Sequence, residues 1–204
     1  MKQDVEYKKR ELLIEAAKSE FLEKGYNKAS LRNICSQAGV TTGALYFFFK
    51  NKEELFAEIV DGPLMGLKKL LAEHFRQDRE SMTGLETTDD IEMDHSDESD
   101  MFIEYIYSYR DSFILLLSSS ENTVYENCVD EFVDLLEKSL PMMISAMKGY
   151  TCDEYMAHWM SHQTIDAFIN VIKHIQDKDE AKRRMRPILN YLIKGWVDLV
   201  MVKE

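Results

Sequence analysis

The residues richest in chemistry lie between Ser30 and Lys52, in the run SLRNICSQAGVTTGALYFFFKNK. Thr41, Thr42 and Tyr46 bring hydroxyls, Gly43 a stretch of bare backbone, and Lys50 and Lys52 positive charge at the far end. If Leu45, Phe48 and Phe49 turn to a core, then Thr42, Gly43, Tyr46 and Phe47 turn away from it. Such an outward face suits a nucleic-acid duplex. Hydroxyls and the N–H groups of a helix N-terminus donate to phosphates, and a glycine lets backbone approach closely. Direct base readout is thin, because the face carries no Arg, Asn or Gln for a bidentate contact. Thr42, Ala44 and Phe47 can still touch thymine methyl groups, which leaves much of the specificity to backbone fit and DNA shape.

Four helices must position this face. Lys8–Lys24 has Leu13, Ala16, Ala17 and Phe21 on one apolar stripe, and Gly25 ends it with a left-handed residue. Ser30 caps a second helix with Leu31, Ile34 and Ala38 in register, ended by Gly39. Val40 tucks between helices, and Thr41 caps a third, short helix to about Phe49. Two short helices around a glycine turn make a helix-turn-helix. Asn51 with Glu54 reads as a capping box for a fourth helix, which Gly62-Pro63 breaks or kinks.

These residues carry a resemblance. Ala16-Ala17, Phe21, Gly25-Tyr26, Ser30-Leu31-Arg32-Asn33-Ile34, Ala38-Gly39-Val40 and Gly43-Ala44-Leu45-Tyr46 stand in order, followed by Phe49 and Lys52-Glu53-Glu54-Leu55. In type and spacing, residues 8–60 resemble the N-terminal domain of the TetR family of bacterial transcriptional regulators. The resemblance implies a three-helix DNA-binding head on a larger helical domain. That domain would bind a small molecule and dimerise through its last two long helices. It implies Ser30 as cap and phosphate contact, and Thr42, Gly43 and Ala44 at the base edges. Tyr46 and Lys52 would lie on phosphates. Gly62-Pro63 and the acidic stretch at 78–100 depart from the family's pattern.

Beyond Pro63 the chain reads as further helices. Leu64, Leu67, Leu71 and Phe75 keep helical register. Residues 78–100 hold ten acidic residues and one arginine, and read as a mobile, solvated loop. From Met101, Phe102, Tyr105, Tyr109 and Phe113 form an aromatic stripe on one helix. With Met156 opposite, that stripe is a candidate effector pocket. Val124–Met147 reads as a helix with a kink at Pro141. Thr151 with Glu154 opens another, to about Ile175. A polar block at Asp177–Arg186 precedes a last helix through about Val202. Trp159, Met160, Ile188, Leu192, Trp196 and Val200 make these last two helices apolar over a broad arc. Such arcs need cover, and a four-helix homodimer interface supplies it. His158 and His162, four apart, have a spacing that can bind a metal, but the sequence places no third ligand. Neither a metal nor another cofactor is expected.

Composition bounds the rest. Of 204 residues, 45% are hydrophobic and 30% charged, and only eight are Gly and three Pro, as in long helices with few connections. The net charge of −12 speaks against nucleic acid, but it is uneven. Residues 1–60 hold ten Lys/Arg and nine Asp/Glu, a balance of +1, so DNA contact must come from a local cluster. Three cysteines without metal spacing, and no apolar leader or membrane span, point to a reduced, cytoplasmic protein. No nucleophile elbow, phosphate loop or HExxH motif appears, so no enzyme is expected. The expected fold is all-α. Residues 1–60 form the helix-turn-helix head, and residues 61–204 the effector-binding and dimerisation domain. The expected function is a ligand-responsive regulator, a repressor releasing a palindromic double-stranded operator. The competing reading is an architectural or adaptor protein with the same head and no small-molecule control.

Overall fold

The computed structural model describes residues 2–204, with side chains from residue 5 onward. Nine α-helices and one short antiparallel ribbon make up the described residues. None of these helices is long and apolar enough to cross a membrane. The chain divides into two compact units, Met1–Met65 with Tyr109–Asn127, and Gly66–Ser108 with Cys128–Glu204. The first unit thus gathers a segment that a boundary drawn at residue 60 leaves out.

In the first unit, α1 (Lys2–Lys28), α2 (Leu31–Gln37), α3 (Thr42–Phe48), the start of α4 (Lys52–Met82) and α6 (Arg110–Ser118) enclose one core. Leu13, Ala17 and Phe21 are buried on α1, as their spacing requires, and Ile34, Leu45, Leu55 and Phe56 are buried on α2, α3 and α4. The Phe56 ring meets those of Phe21 and Tyr26 edge-on at 5.3 and 5.2 Å. Gly25 interrupts α1 at φ 75, ψ 161. Its positive φ favours glycine, but its ψ lies outside the left-handed helical region expected of a cap.

The Gly62-Pro63 break does not occur, and α4 runs through both residues to Met82. Proline cannot donate to the carbonyl four residues back, here that of Ile59. The buried hydroxyl of Ser112 donates to that oxygen instead, at 2.8 Å. A neighbouring element supplies what the helix lacks.

The second unit corrects the acidic loop. Residues 78–82 belong to α4, residues 88–90 form a single 3₁₀ turn, and α5 (Ser96–Ser108) begins inside the acidic run. The remainder is tied down. Gly84 N–H donates to Ala146 O at 2.9 Å, Lys148 N–H to Leu85 O at 2.9 Å, and His95 N–H to Asn190 Oδ1 at 3.2 Å. Arg186 pairs with Asp100, and Lys178 and Lys182 both reach Glu104 at 2.6 Å. The basic partners stand 74 to 86 positions along the chain, so local charge counting could not pair them.

Boundaries of three other helices move. Asp153, not Thr151, caps α8 (Glu154–His174), accepting from Met156 N–H at 2.9 Å. Thr151 lies in β1 (Tyr150–Cys152), which pairs with β2 (Met201–Lys203), so the last helix stops before Val202. That helix, α9 (Lys178–Leu199), begins inside the polar block because Asp177 caps it, and Glu180 pairs with Arg183 and Arg184 one turn on. Finally, α7 is Cys128–Ile144, with Pro141 inside it.

Candidate nucleic-acid interface

The outward face of α3 is built from its caps inward. Thr41 Oγ1 accepts from Ala44 N–H at 3.2 Å, a cap worth about 1 kcal/mol. Gly39, at φ 66, ends α2 and turns the chain into that cap. Leu45 and Phe49 are fully or almost fully buried at 0 and 2% exposure, whereas Tyr46 and Phe47 stand 55 and 71% exposed. Thr41, Thr42 and Gly43 are exposed, and Ala44 is half-buried. The only neighbour near the position a Gly43 side chain would take is Thr41 Oγ1, at 3.9 Å, so the backbone there stands open. Phe48 departs from the expected burial. It is half-buried, with its ring edge-on to Phe47 at 5.0 Å.

Glu20, which the sequence reading passed over, holds α2 in place beneath this face. Its carboxylate is fully buried. It accepts from Ser30 N–H at 3.1 Å, Asn33 Nδ2 and Gln37 Nε2 at 3.4 Å, and Lys24 Nζ at 2.9 Å. Burial works against its charge, but Lys24, the Ser30 N–H and Asn33 outweigh it and hold the carboxyl below its usual range. A signal was present in the sequence. Glu20 falls in the apolar register of Leu13, Ala17 and Phe21, where a carboxylate needs partners.

The two lysines at the far end part company. Lys50 is 90% exposed, its ammonium 4.0 Å from Glu54. Lys52 is turned inward. Its ammonium donates to the carbonyls of Tyr26, Asn27 and Ala29 at 2.7, 3.3 and 3.4 Å and lies 4.5 Å above the Tyr26 ring. Burial lowers its pKa. These bonds occupy its three N–H groups, so it fastens the end of α1 to the start of α4, and the phosphate contact expected of it is not prepared. The capping box at the same joint is half formed. Glu54 N–H donates to Asn51 Oδ1 at 2.8 Å, but the Glu54 carboxylate reaches Lys50 N–H.

The effector stripe is not assembled as drawn. The helix breaks at Tyr109, where φ −126 and ψ 32 leave helical geometry, separating α5 from α6. Phe102 and Tyr105 stay in the second unit, while exposed Tyr109 and buried Phe113 fall in the first. Phe102 meets His74 and Phe168 edge-on at 5.3 and 6.1 Å. Met156 packs in another cluster, with Ile144, Ala157, Met160, Leu192 and Val200. That cluster also removes Met160, Leu192 and Val200 from the candidate dimer face, since each is buried within its own chain. Trp196 is half-buried, its indole N–H donating to Thr164 Oγ1 at 3.3 Å. Trp159 and Ile188 remain exposed, joined by Tyr155, Tyr191 and Leu199.

The geometry defines a helix-turn-helix in the first unit and a larger, mostly helical second unit. Residues 13–59 match the family model of bacterial regulatory proteins, tetR family. The match lies in the head and leaves the rest of the chain outside it. The HTH-type transcriptional repressor BepR of Brucella suis biovar 1 is 45% identical over 51 residues, which are 25% of this chain and 24% of BepR. The match thus spans about a quarter of that relative's length. Solved structures extend the likeness in fold alone. A TerR/AcrR-family transcriptional regulator from Aquifex aeolicus VF5 superposes with a TM-score of 0.62 at 23% identity, over 90% of this chain and 99% of its own. SmeT in complex with triclosan gives 0.58 at 21% identity, over 96 and 92%.

Proposed function

We propose that this protein is a transcriptional repressor that binds a palindromic operator as a homodimer and releases it when a small molecule occupies the second unit. The observation that carries the reading is the bare outward face of α3. Thr42, Gly43, Tyr46 and Phe47 are exposed while Leu45 and Phe49 anchor the helix from behind. Phe47 keeps most of its ring exposed beside Phe48, which suits contact with thymine methyls. A twofold dimer would present two such faces about 34–36 Å apart, one turn of DNA.

Support for the dimer comes from Tyr155 and Trp159 on α8 and Ile188, Tyr191 and Leu199 on α9, all exposed and mostly apolar. An isologous four-helix contact would cover them. Light scattering tests this, and a Tyr191→Glu chain is expected to shift toward monomer. Support for the effector comes from α5. Ser99 Oγ, one turn before Phe102, is buried without a hydrogen-bond partner, and near it in sequence His95 Nδ1 and Glu98 Oε2 face one another at 3.9 Å with no closer partner. A ligand with an apolar body and one polar group would satisfy them. It would act only through its difference in affinity for the two states of the dimer.

The deciding experiment is anisotropy of labelled duplexes selected from a random pool. Tyr46→Ala is expected to weaken binding to every bound sequence, and Thr42→Ala to change the preferred sequence. If neither substitution alters binding, this face does not meet DNA.

A further inference from the structure

Three side chains with metal-binding chemistry converge within the second unit. His158 and His162 lie one turn apart on α8, their rings edge-on with centroids 4.7 Å apart. The sequence alone leaves this pair without a third ligand. The fold supplies one. Glu137, 21 positions earlier on α7, brings its carboxylate Oε1 against Nδ1 of His158. One ligand atom from each of the three lies within 4.8 Å of the other two.

We propose that Glu137, His158 and His162 form a binding site for a divalent transition-metal ion, of the zinc class, bridging α7 and α8. Four ligands about 2.1 Å from a tetrahedral zinc ion stand roughly 3.4 Å apart. No two of the three atoms therefore stand more than about 1.4 Å beyond that spacing, and side-chain rotations close the gap. Two imidazoles and one carboxylate suit zinc, nickel or copper, and disfavour magnesium and calcium, which take oxygen ligands. His158 is exposed and the other two are half-buried, so an ion reaches the site from solvent and water completes the coordination. Without the ion, His158 and Glu137 hold one another in a hydrogen bond. With it, both turn to the metal and the two helices are fastened through it. The inference does not rest on the DNA-binding reading.

The test uses the full chain, free of any histidine tag and treated with chelator, titrated with zinc sulfate in a calorimeter. One zinc per chain is expected, with no heat from magnesium. His162→Ala and Glu137→Gln should each weaken binding about 10- to 100-fold. His174→Ala, on the exposed end of the same helix, should change nothing. Unaltered circular dichroism of each variant shows that it is folded. Cobalt in place of zinc should give the visible absorption of a tetrahedral site, lost in both weakened variants. Zinc binding that survives Glu137→Gln unchanged would overturn the three-ligand site, as would equal loss in His174→Ala or no zinc binding by the parent chain.

Discussion

Ser112 Oγ donates to the Ile59 carbonyl at 2.8 Å, the oxygen that Pro63 leaves without its helical donor. Each residue explains the other. The proline is tolerated inside α4 because a hydroxyl from α6 serves the orphaned acceptor, and the hydroxyl is buried because it has that acceptor to serve. Ser112→Ala should lower stability by about 1–3 kcal/mol, the penalty for a buried carbonyl without a partner. In a Pro63→Ala background the restored N–H serves Ile59, and the same substitution should cost much less. Urea unfolding of the four proteins measures this coupling, and additive effects would refute it.

Glu20 predicts an acid limb in the stability of the head. Its carboxyl is held below its ordinary value of 4.5 in the folded chain. The unfolded chain therefore takes up the proton first as pH falls. The stabilisation is complete above that ordinary value and is lost as pH drops through the lowered folded one. Glu20→Gln should cost about 1–3 kcal/mol at neutral pH. It should also flatten the decline of the denaturation midpoint below pH 4.5.

Lys50 and Lys52 should separate binding from folding. Lys50→Ala removes an exposed charge and is expected to reduce the salt dependence of DNA affinity by about one unit of slope, with the melting temperature unchanged. Lys52→Ala removes an ammonium shared by three carbonyls. It should lower the melting temperature of the head. Salt titration and thermal melts on the same two variants check both statements.

Gly66 faces Tyr105 across α4 and α5. A methyl group at position 66 would fall 1.8 Å from the tyrosine Oη and 2.8 Å from Cζ. Gly66→Ala gains about 1 kcal/mol in helix propensity, but overpacking costs about 1–3 kcal/mol. The substitution should destabilise the parent chain. In a Tyr105→Ala background the clash is gone, and the same change should stabilise. A loss of equal size in both backgrounds would rule out the contact.

The head was legible in the sequence because its determinants are local. Ser30 and Thr41 cap the helices they immediately precede, Gly39 supplies a turn at positive φ, and Leu45 against Tyr46 and Phe47 follows from helical periodicity within seven residues. The second unit was misread where partners lie far apart along the chain. The acidic run reads as a solvated loop until Arg186 and Asn190 meet it, and His158 with His162 reads as an incomplete pair until Glu137 arrives from α7. Likewise, Met160, Leu192 and Val200 read as an uncovered face until α8, α9 and the ribbon pack together.

Periodicity and capping act over one or two helical turns, so the order of residues by itself determined α2 and α3, their caps at Ser30 and Thr41, and the outward face of α3. Pairing across tens of residues depends on which surfaces become neighbours once the chain has closed. Only the tertiary structure therefore decided that Ser112 would carry α4 past Pro63, that Lys52 would turn inward, and that a carboxylate from α7 would join two histidines on α8.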